Sequence, residues 1–176
     1  MEKIDLQRES HWHAVYVKSR TEKKAQTELQ FQNIETFLPL QRKLRQWSDR
    51  KKWVEMPLIS GYIFVRICRK EYDLVLQSNY VVSYVRFEGT AAVIPDNQIE
   101  NLKVMLSQDN LEIEVTQQNL APGQLVDVIA GPLIGLRGKL VFIKGKSKVA
   151  VSLEQLGYSA LVEISAGDIR IYEKQS

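Results

Sequence analysis

Residues 122–140 (PGQLVDVIAGPLIGLRGKL) carry the most regular spacing in the chain. Gly123, Gly131, Gly135 and Gly138 interrupt a run that is otherwise rich in aliphatic residues. Glycine at such points serves a backbone with positive φ or the close approach of another chain segment. The stretch therefore predicts a strand, a glycine-rich turn and a second strand.

The chain after Leu120 continues as short apolar segments between polar or glycine-containing turns, with no helical spacing. The predicted strands are Leu125–Ala130, Lys139–Ile143, Lys148–Leu153, Ala160–Ile164 and Ile169–Tyr172. Five strands in about 50 residues without a helix predict a small closed barrel. Gly145-Lys146-Ser147 is interpreted as a hairpin turn and not as a phosphate-binding loop, because a strand follows it.

The first half has a different pattern, in which strands alternate with helices. The predicted strands are Trp12–Lys18, Thr36–Leu40, Trp53–Met56, Gly61–Ile67 and Val81–Phe87, and a turn at Gly89 leads into a short apolar stretch at Ala91–Ile94. The predicted helices are one capped by Thr21 and ending near Gln32, one around Tyr72–Leu76, and one from Asp96 to Leu106. This order predicts an α+β fold, in which an antiparallel sheet carries helices.

The change of pattern also predicts the domain boundaries. Residues 1–11 are expected to be an N-terminal tail and residues 12–106 the first domain. The polar residues 107–119 are expected to be a linker, and residues 120–174 the second domain.

The composition is that of an ordinary globular protein, with 44% hydrophobic and 26% charged residues and a net charge of +3. We expect a cytoplasmic protein, because no apolar run reaches the roughly 20 residues of a membrane span and the charged start lacks a signal-peptide core. The single cysteine, Cys68, is expected to be a buried thiol. His11 and His13 share a strand face without a third ligand, so neither a metal nor a cofactor is predicted. No catalytic constellation is present, which predicts a non-enzymatic protein.

The glycine spacing after residue 122 resembles a KOW motif, in which a short strand leads into a Gly-Pro turn with two further glycines. The motif residues on this resemblance are Gly123, Gly131, Pro132, Gly135 and Gly138. The resemblance implies that the second domain is a small SH3-like all-β barrel. KOW barrels also occur in ribosomal proteins, so the motif alone leaves the function open.

The first half resembles the N-terminal domain of NusG-family transcription elongation and antitermination factors. The matching residues are Trp12, Tyr16, Arg20, Glu22 and Lys23, then Phe37-Leu38-Pro39, and then Pro57–Val65, where Ser60-Gly61 replaces the family's Pro-Gly. The resemblance implies a factor that binds the clamp helices of RNA polymerase through its N-terminal domain and suppresses pausing or termination. The opening segment is most similar to the specialised RfaH-type or UpxY-type antiterminators.

The resemblance also implies a second partner for the KOW domain, which is ribosomal protein S10 or the termination factor Rho, and we expect a monomer. The rival hypothesis is a KOW-containing RNA-binding or ribosome-associated protein. Such a protein would usually be far more basic than +3.

Tyr62 and Phe64 are the polymerase-binding residues that the resemblance implies. Strand alternation places them on one face, opposite Ile63, Val65 and Ile67. The alternative is that both aromatic residues belong to a second internal core.

Two basic clusters are candidates for contact with non-template DNA or nascent RNA, because cations beside flat aromatic side chains suit a single strand. Trp47 and Trp53 are interleaved with the first cluster. The first cluster is Arg42, Lys43, Arg45, Arg50, Lys51 and Lys52, and the second is Lys18, Arg20, Lys23 and Lys24. The alternative for both is a solvated surface.

Overall fold

The computed structural model describes residues 9–118, 120 and 123–173. Several expectations lie outside the described residues: the tail at residues 1–8, the end of the linker at Asn119, the motif's Pro122 and the domain end at Lys174. The described chain forms two compact units. One contains the residues up to Pro39 and Ile59–Asp96, and the other contains Leu40–Leu58 and the residues from Asn97 onward.

The regular elements follow the predicted order closely. They are β1 His11–Val17, α1 Glu22–Phe31, β2 Glu35–Phe37, β3 Leu40–Gln46, β4 Lys51–Pro57, β5 Tyr62–Ile67, α2 Tyr72–Leu76, β6 Val81–Tyr84, β7 Arg86–Phe87, β8 Thr90–Ala91, β9 Val93–Ile94, α3 Asp96–Leu106, β10 Ile113–Thr116, β11 Leu125–Val128, β12 Arg137–Ile143, β13 Lys146–Leu153, β14 Tyr158–Glu163 and β15 Ile169–Ile171.

The first unit is built on an antiparallel sheet of order β2–β5–β1–β6, with β9 paired to β1. β5 lies between β2 and β1, and its residues Ile63, Phe64 and Val65 are fully buried. The middle of this strand is therefore covered on both faces. Helix α1 contacts β2 and β5 and buries Ala25 and Leu29.

The entry into α1 differs in one detail from the predicted cap. Thr21 occupies the N-cap position, but its hydroxyl donates to the Lys18 carbonyl oxygen at 2.7 Å and makes no cap to the helix. The next residue, Glu22, is buried and accepts a hydrogen bond from the Gly61 N–H at 2.9 Å. Gly61 has φ 82, a conformation that favours glycine, so the turn before β5 is tied to the start of α1.

The second unit contains a six-stranded antiparallel sheet of order β10–β14–β13–β12–β11–β15. The five predicted strands are present, and the all-β sheet is consistent with a KOW domain. The sixth strand, β10, lies within the stretch expected to be a linker, and it pairs residue by residue with Ser159–Val162 of β14. Only the weak alternation of Leu111, Ile113 and Val115 marked it in the sequence.

The motif glycines serve the two purposes that their spacing predicted. Gly131 and Gly135 have φ 77 and 90. A Cβ at Gly138 would lie 2.5 Å from the Ala150 carbonyl oxygen, and one at Gly123 would collide with the Leu140 carbonyl oxygen. The glycine-rich turn is held to the sheet by the buried side chains of Leu133 and Leu136.

The second unit also contains two hairpins with different surroundings. The β3–β4 hairpin forms a separate two-stranded sheet, and the β12–β13 hairpin is part of the six-stranded sheet. The turn of β12–β13 consists of Lys144 and Gly145, both with positive φ, between the paired residues Ile143 and Lys146. A hairpin turn is therefore present here as predicted, but it lies one residue earlier, at 144–145, and Lys146 and Ser147 belong to β13.

Candidate polymerase and nucleic-acid interfaces

Four aromatic side chains lie together on the first unit's sheet: Tyr16, Phe37, Tyr62 and Phe64. We call the three that reach solvent, Tyr16, Phe37 and Tyr62, the aromatic surface. Tyr16 and Tyr62 face each other across the β1–β5 ladder, with ring centroids 4.8 Å apart. Tyr16 is 39% exposed and Tyr62 is half-buried. Phe64 is fully buried and stacks on the half-buried Phe37 of β2 at 6.0 Å.

The structure thus separates the two residues that the sequence analysis had grouped. Phe64 belongs to the internal core, as the alternative interpretation held for it, and its truncation would leave a cavity costing about 3–5 kcal/mol. Tyr62 lies at the surface beside Tyr16, which sequence reasoning did not name as a site residue. The missing signal is the β1–β5 register, which no local pattern encodes.

The first basic cluster lies on the β3–β4 hairpin, and all six of its cations are exposed. The hairpin pairs in register from Leu40 with Pro57 to Gln46 with Lys51. Because side chains alternate along a strand, one face carries Lys43, Arg45 and Lys52. The opposite face carries the aromatic residue Trp53 with Arg42 and Leu44.

The basic face contains a pair of like charges directly across the ladder, Arg45 opposite Lys52. Like charges in this arrangement destabilise a sheet. Among the described residues no carboxylate forms an ion pair with either side chain. The hairpin therefore holds its charge in a geometry that an external anion would relieve.

The aromatic side chains of the hairpin are open to solvent. Trp47 is 55% exposed in the turn, where its backbone N–H donates to the Arg50 carbonyl oxygen at 2.8 Å. Trp53 is 51% exposed and lies across from Leu44. Exposed indole rings beside cations can stack unpaired bases while the cations contact phosphates.

The second basic cluster lies at the junction of β1 and α1, where Lys18, Arg20, Lys23 and Lys24 are all exposed. The Lys18 ammonium donates to the Asn79 carbonyl oxygen at 2.6 Å. The pKa of the nearby Glu28 carboxyl is lowered, mainly by a hydrogen bond from the Ser78 hydroxyl. Hydrogen bonds from Asn79 and the positive charge of Lys18 lower it further. Lys18 is therefore partly engaged within the fold. Arg20 has φ 60, which is uncommon outside glycine.

The other end of the sheet carries the two histidines. His13 Nδ1 lies 3.0 Å from the Ala92 carbonyl oxygen, and burial lowers the pKa of its imidazole. His11 and the half-buried Cys68 line the same pocket, so the expectation of a buried thiol was wrong. Within the described part of the chain, no three His, Cys, Asp or Glu side chains are grouped so as to hold a metal ion.

The first half of the chain matches a known protein family. The family model described as "Transcription termination factor nusG" matches residues 10–103, just over half of the chain. The chain therefore belongs to the NusG family. Proteins of this family are non-enzymatic transcription factors that act in elongation or termination and interact with RNA polymerase.

The fold is also found in solved structures. One of them, described as "Domain interaction in Thermotoga maritima NusG", is 19% identical, covers 94% of this chain and 98% of its own, and has a TM-score of 0.50. This likeness shows the shared fold. No curated protein sequence matches the chain. None of the described helices has the length and apolar character that crossing a membrane requires.

Proposed function

We propose that this protein binds RNA polymerase through the aromatic surface and suppresses pausing or termination. The Tyr16–Tyr62 pair carries the proposal, because two adjacent aromatic rings, one exposed and one half-buried, lie beside the fully buried Ala14 and Phe64 on this sheet. Aromatic anchors in partly preformed pockets commonly dominate interface energetics. The partner surface is the polymerase clamp helices, which the family resemblance implies.

The two basic clusters contact the upstream non-template DNA or the nascent RNA in this proposal. Support comes from the like-charge pair of Arg45 and Lys52 and from the exposed Trp47 and Trp53. Binding across the polymerase cleft disfavours the open-clamp, paused state, and contact with the strand holds the factor in place. The mechanism requires no catalytic group.

The all-β domain recruits a second partner, ribosomal protein S10 or Rho, and the protein acts as a cytoplasmic monomer. Specialisation as an RfaH-type or UpxY-type antiterminator remains a prediction. The ribosome-associated alternative gains no support from the match over residues 10–103, which lies outside the KOW motif.

The test uses the full chain and purified core RNA polymerase. Tyr62→Ala and Tyr16→Ala are expected to weaken binding by about 30-fold, the equivalent of roughly 2 kcal/mol at an interface centre. Thermal melting should stay near that of the unmodified chain, because both side chains are partly exposed and leave little cavity.

Phe31→Ala is the matched control, since Phe31 is a highly exposed aromatic residue on α1. It should bind polymerase normally. Phe64→Ala should lower the melting temperature, because that side chain is buried. Full binding by both tyrosine variants would move the polymerase site elsewhere.

A further inference from the structure

A pocket of about 350 Å³ opens at the base of the β3–β4 hairpin. From the hairpin it is lined by Gln41–Leu44 and by Trp53, which supplies a flat aromatic wall. The other wall is residues 109–112, which precede β10 and contribute two acids, Asp109 and Glu112. Its dimensions and aromatic wall suit one planar ring system.

Arg42 is engaged twice in this pocket. Its guanidinium lies 5.8 Å from the centroid of the Trp53 ring, within the range of a cation–π contact. Its Nη1 donates to Asp109 Oδ2 at 3.1 Å. Asp109 therefore neutralises one cation of the basic hairpin and holds it over the indole face.

The Arg42–Asp109 ion pair is weak enough for a ligand to break. Its side chains are 46% and 66% exposed, and ion pairs so exposed contribute only about 0–1 kcal/mol. A nucleic-acid phosphate presents the same kind of acceptor to Arg42, with the added advantage of counterion release. Glu55 lies across the ladder from Arg42 on the hairpin itself. It therefore stays near Arg42 whether or not Arg42 is paired with Asp109.

We propose that this pocket receives one unpaired base of a single-stranded nucleic acid, stacked on Trp53, and that in the free protein Asp109 acts as a gate by holding the Arg42 guanidinium over the indole face. The proposal rests on the proposed nucleic-acid contact of the hairpin. On binding, a phosphate replaces Asp109 on Arg42, and the base takes the indole face that the guanidinium had covered. Sequence preference at this position is weak, because every base has a stacking face.

The first test measures binding of a short fluorescent DNA single strand to the full chain at several salt concentrations. Asp109→Asn should bind about 2- to 5-fold more tightly at low salt, as expected when an exposed competing ion pair is removed. The dependence of log K on log salt should become steeper by up to about 0.7, because in the unmodified chain the displaced Asp109 carboxylate takes up a cation that offsets one cation released from the strand.

Glu112→Gln is the matched control, since it removes an equal charge from the same pocket wall without breaking an ion pair to Arg42. A smaller increase in affinity than that of Asp109→Asn is expected. Equal increases by the two variants would overturn the gate, because a general charge effect would then suffice. In an Arg42→Ala background the advantage of Asp109→Asn should disappear, and its persistence would also overturn the gate.

The second test reports on the base. In a Trp47→Phe variant the remaining tryptophans are Trp53 and the buried Trp12, so fluorescence quenching by the strand reports on Trp53. Quenching is expected, and its absence at saturation would overturn the base pocket. Arg50→Ala/Lys51→Ala/Lys52→Ala separates the two hypotheses: unchanged strand binding by this variant would refute the hairpin's proposed function, whatever the gate does.

Discussion

The two hairpins of the second unit share a motif and differ in what surrounds them. In β12–β13, Val141, Val149, Val151 and Leu153 are buried. In β3–β4, the seven residues of β3 are exposed or half-buried, and so are those of β4. The β12–β13 hairpin is held by a core, whereas among the described residues the β3–β4 hairpin is held mainly by its own ladder and by contacts at its base such as that of Arg42 with Asp109.

Their charges differ in the same way. Lys148 of β13 is buried and its ammonium donates to Glu114 of β10 at 2.6 Å. Arg45 and Lys52 of the β3–β4 hairpin face each other instead. A side chain that neither fills a core nor pairs with an opposite charge adds little to stability. The difference between the two hairpins is consistent with the proposal that β3–β4 binds a partner.

The largest expected effect is on stability. Leu153→Ala in β13 should lower the free energy of unfolding by about 2–5 kcal/mol, because the side chain is fully buried. Leu44→Ala in β3 should change it by less than about 0.5 kcal/mol. Urea denaturation of both variants measures the difference, and similar decreases would erase the contrast between the hairpins.

A region could be predicted from the sequence when the residues that define it are close together along the chain. The glycine-rich turn and the strand at 62–67 were predicted because spacing and local backbone demands are written in adjacent residues. β10 was missed because its partner strand lies far along the chain and its polar neighbours mask a short alternation. The Arg42–Asp109 pair joins residues 67 positions apart, so no local pattern indicates it.

The same limit applies to the candidate site. The sequence indicated a concentration of cations along this segment, because charge density is a local property, but it did not show that they lie on two opposite faces of the hairpin. It could not show that Tyr62 reaches solvent while Phe64 is buried, because the exposure of each side chain depends on which other elements cover the sheet. Tyr16 is a candidate site residue because the strand register places it opposite Tyr62.

The next effect is on nucleic-acid affinity. Arg50→Ala/Lys51→Ala/Lys52→Ala should reduce the salt dependence of single-strand binding by up to about 2 in log–log slope, since each phosphate that is no longer neutralised lowers the slope by about 0.7. Melting should be nearly unchanged. The matched control removes three lysines of the other hairpin, with Lys139, Lys144 and Lys146 replaced by alanine. An equal decrease of slope there would mean that net charge alone governs binding.

A single substitution should move stability and binding in opposite directions. Lys52→Glu places an opposite charge across from Arg45, which should stabilise the hairpin by about 0.2–1 kcal/mol. Binding of a single strand should weaken at the same time, because a phosphate now meets a carboxylate. Denaturation and anisotropy on the same sample provide the check, and a variant with both higher stability and higher affinity would contradict the partner hypothesis.

The smallest effect is a pH dependence that arises from Glu114 of β10, the partner of Lys148 in β13. The hydrogen bond from Lys148 lowers the pKa of the Glu114 carboxyl below its ordinary value. A lowered folded-state pKa contributes stability above the unfolded pKa, near 4.3, and the contribution is lost as pH falls through the folded value. The contribution is at most about 1 kcal/mol, because the carboxylate is half exposed.

Glu114→Gln tests this contribution by urea denaturation at neutral and acidic pH. The variant should be less stable than the unmodified chain at neutral pH, and the difference should shrink in acid. A difference that grew on acidification would have the wrong sign.

The isolation of the β3–β4 ladder has a consequence for backbone dynamics. A two-stranded ribbon without further strands is at best marginally stable by itself in water. Its amide hydrogens should therefore exchange with deuterated solvent well before those of β13, where ladder partners flank both sides. A ligand that stacks on Trp53 would slow that exchange by ordering the ribbon. Part of its binding free energy would be used for this ordering, so affinity could be tuned by the stiffness of the ribbon without altering the surface that meets the ligand.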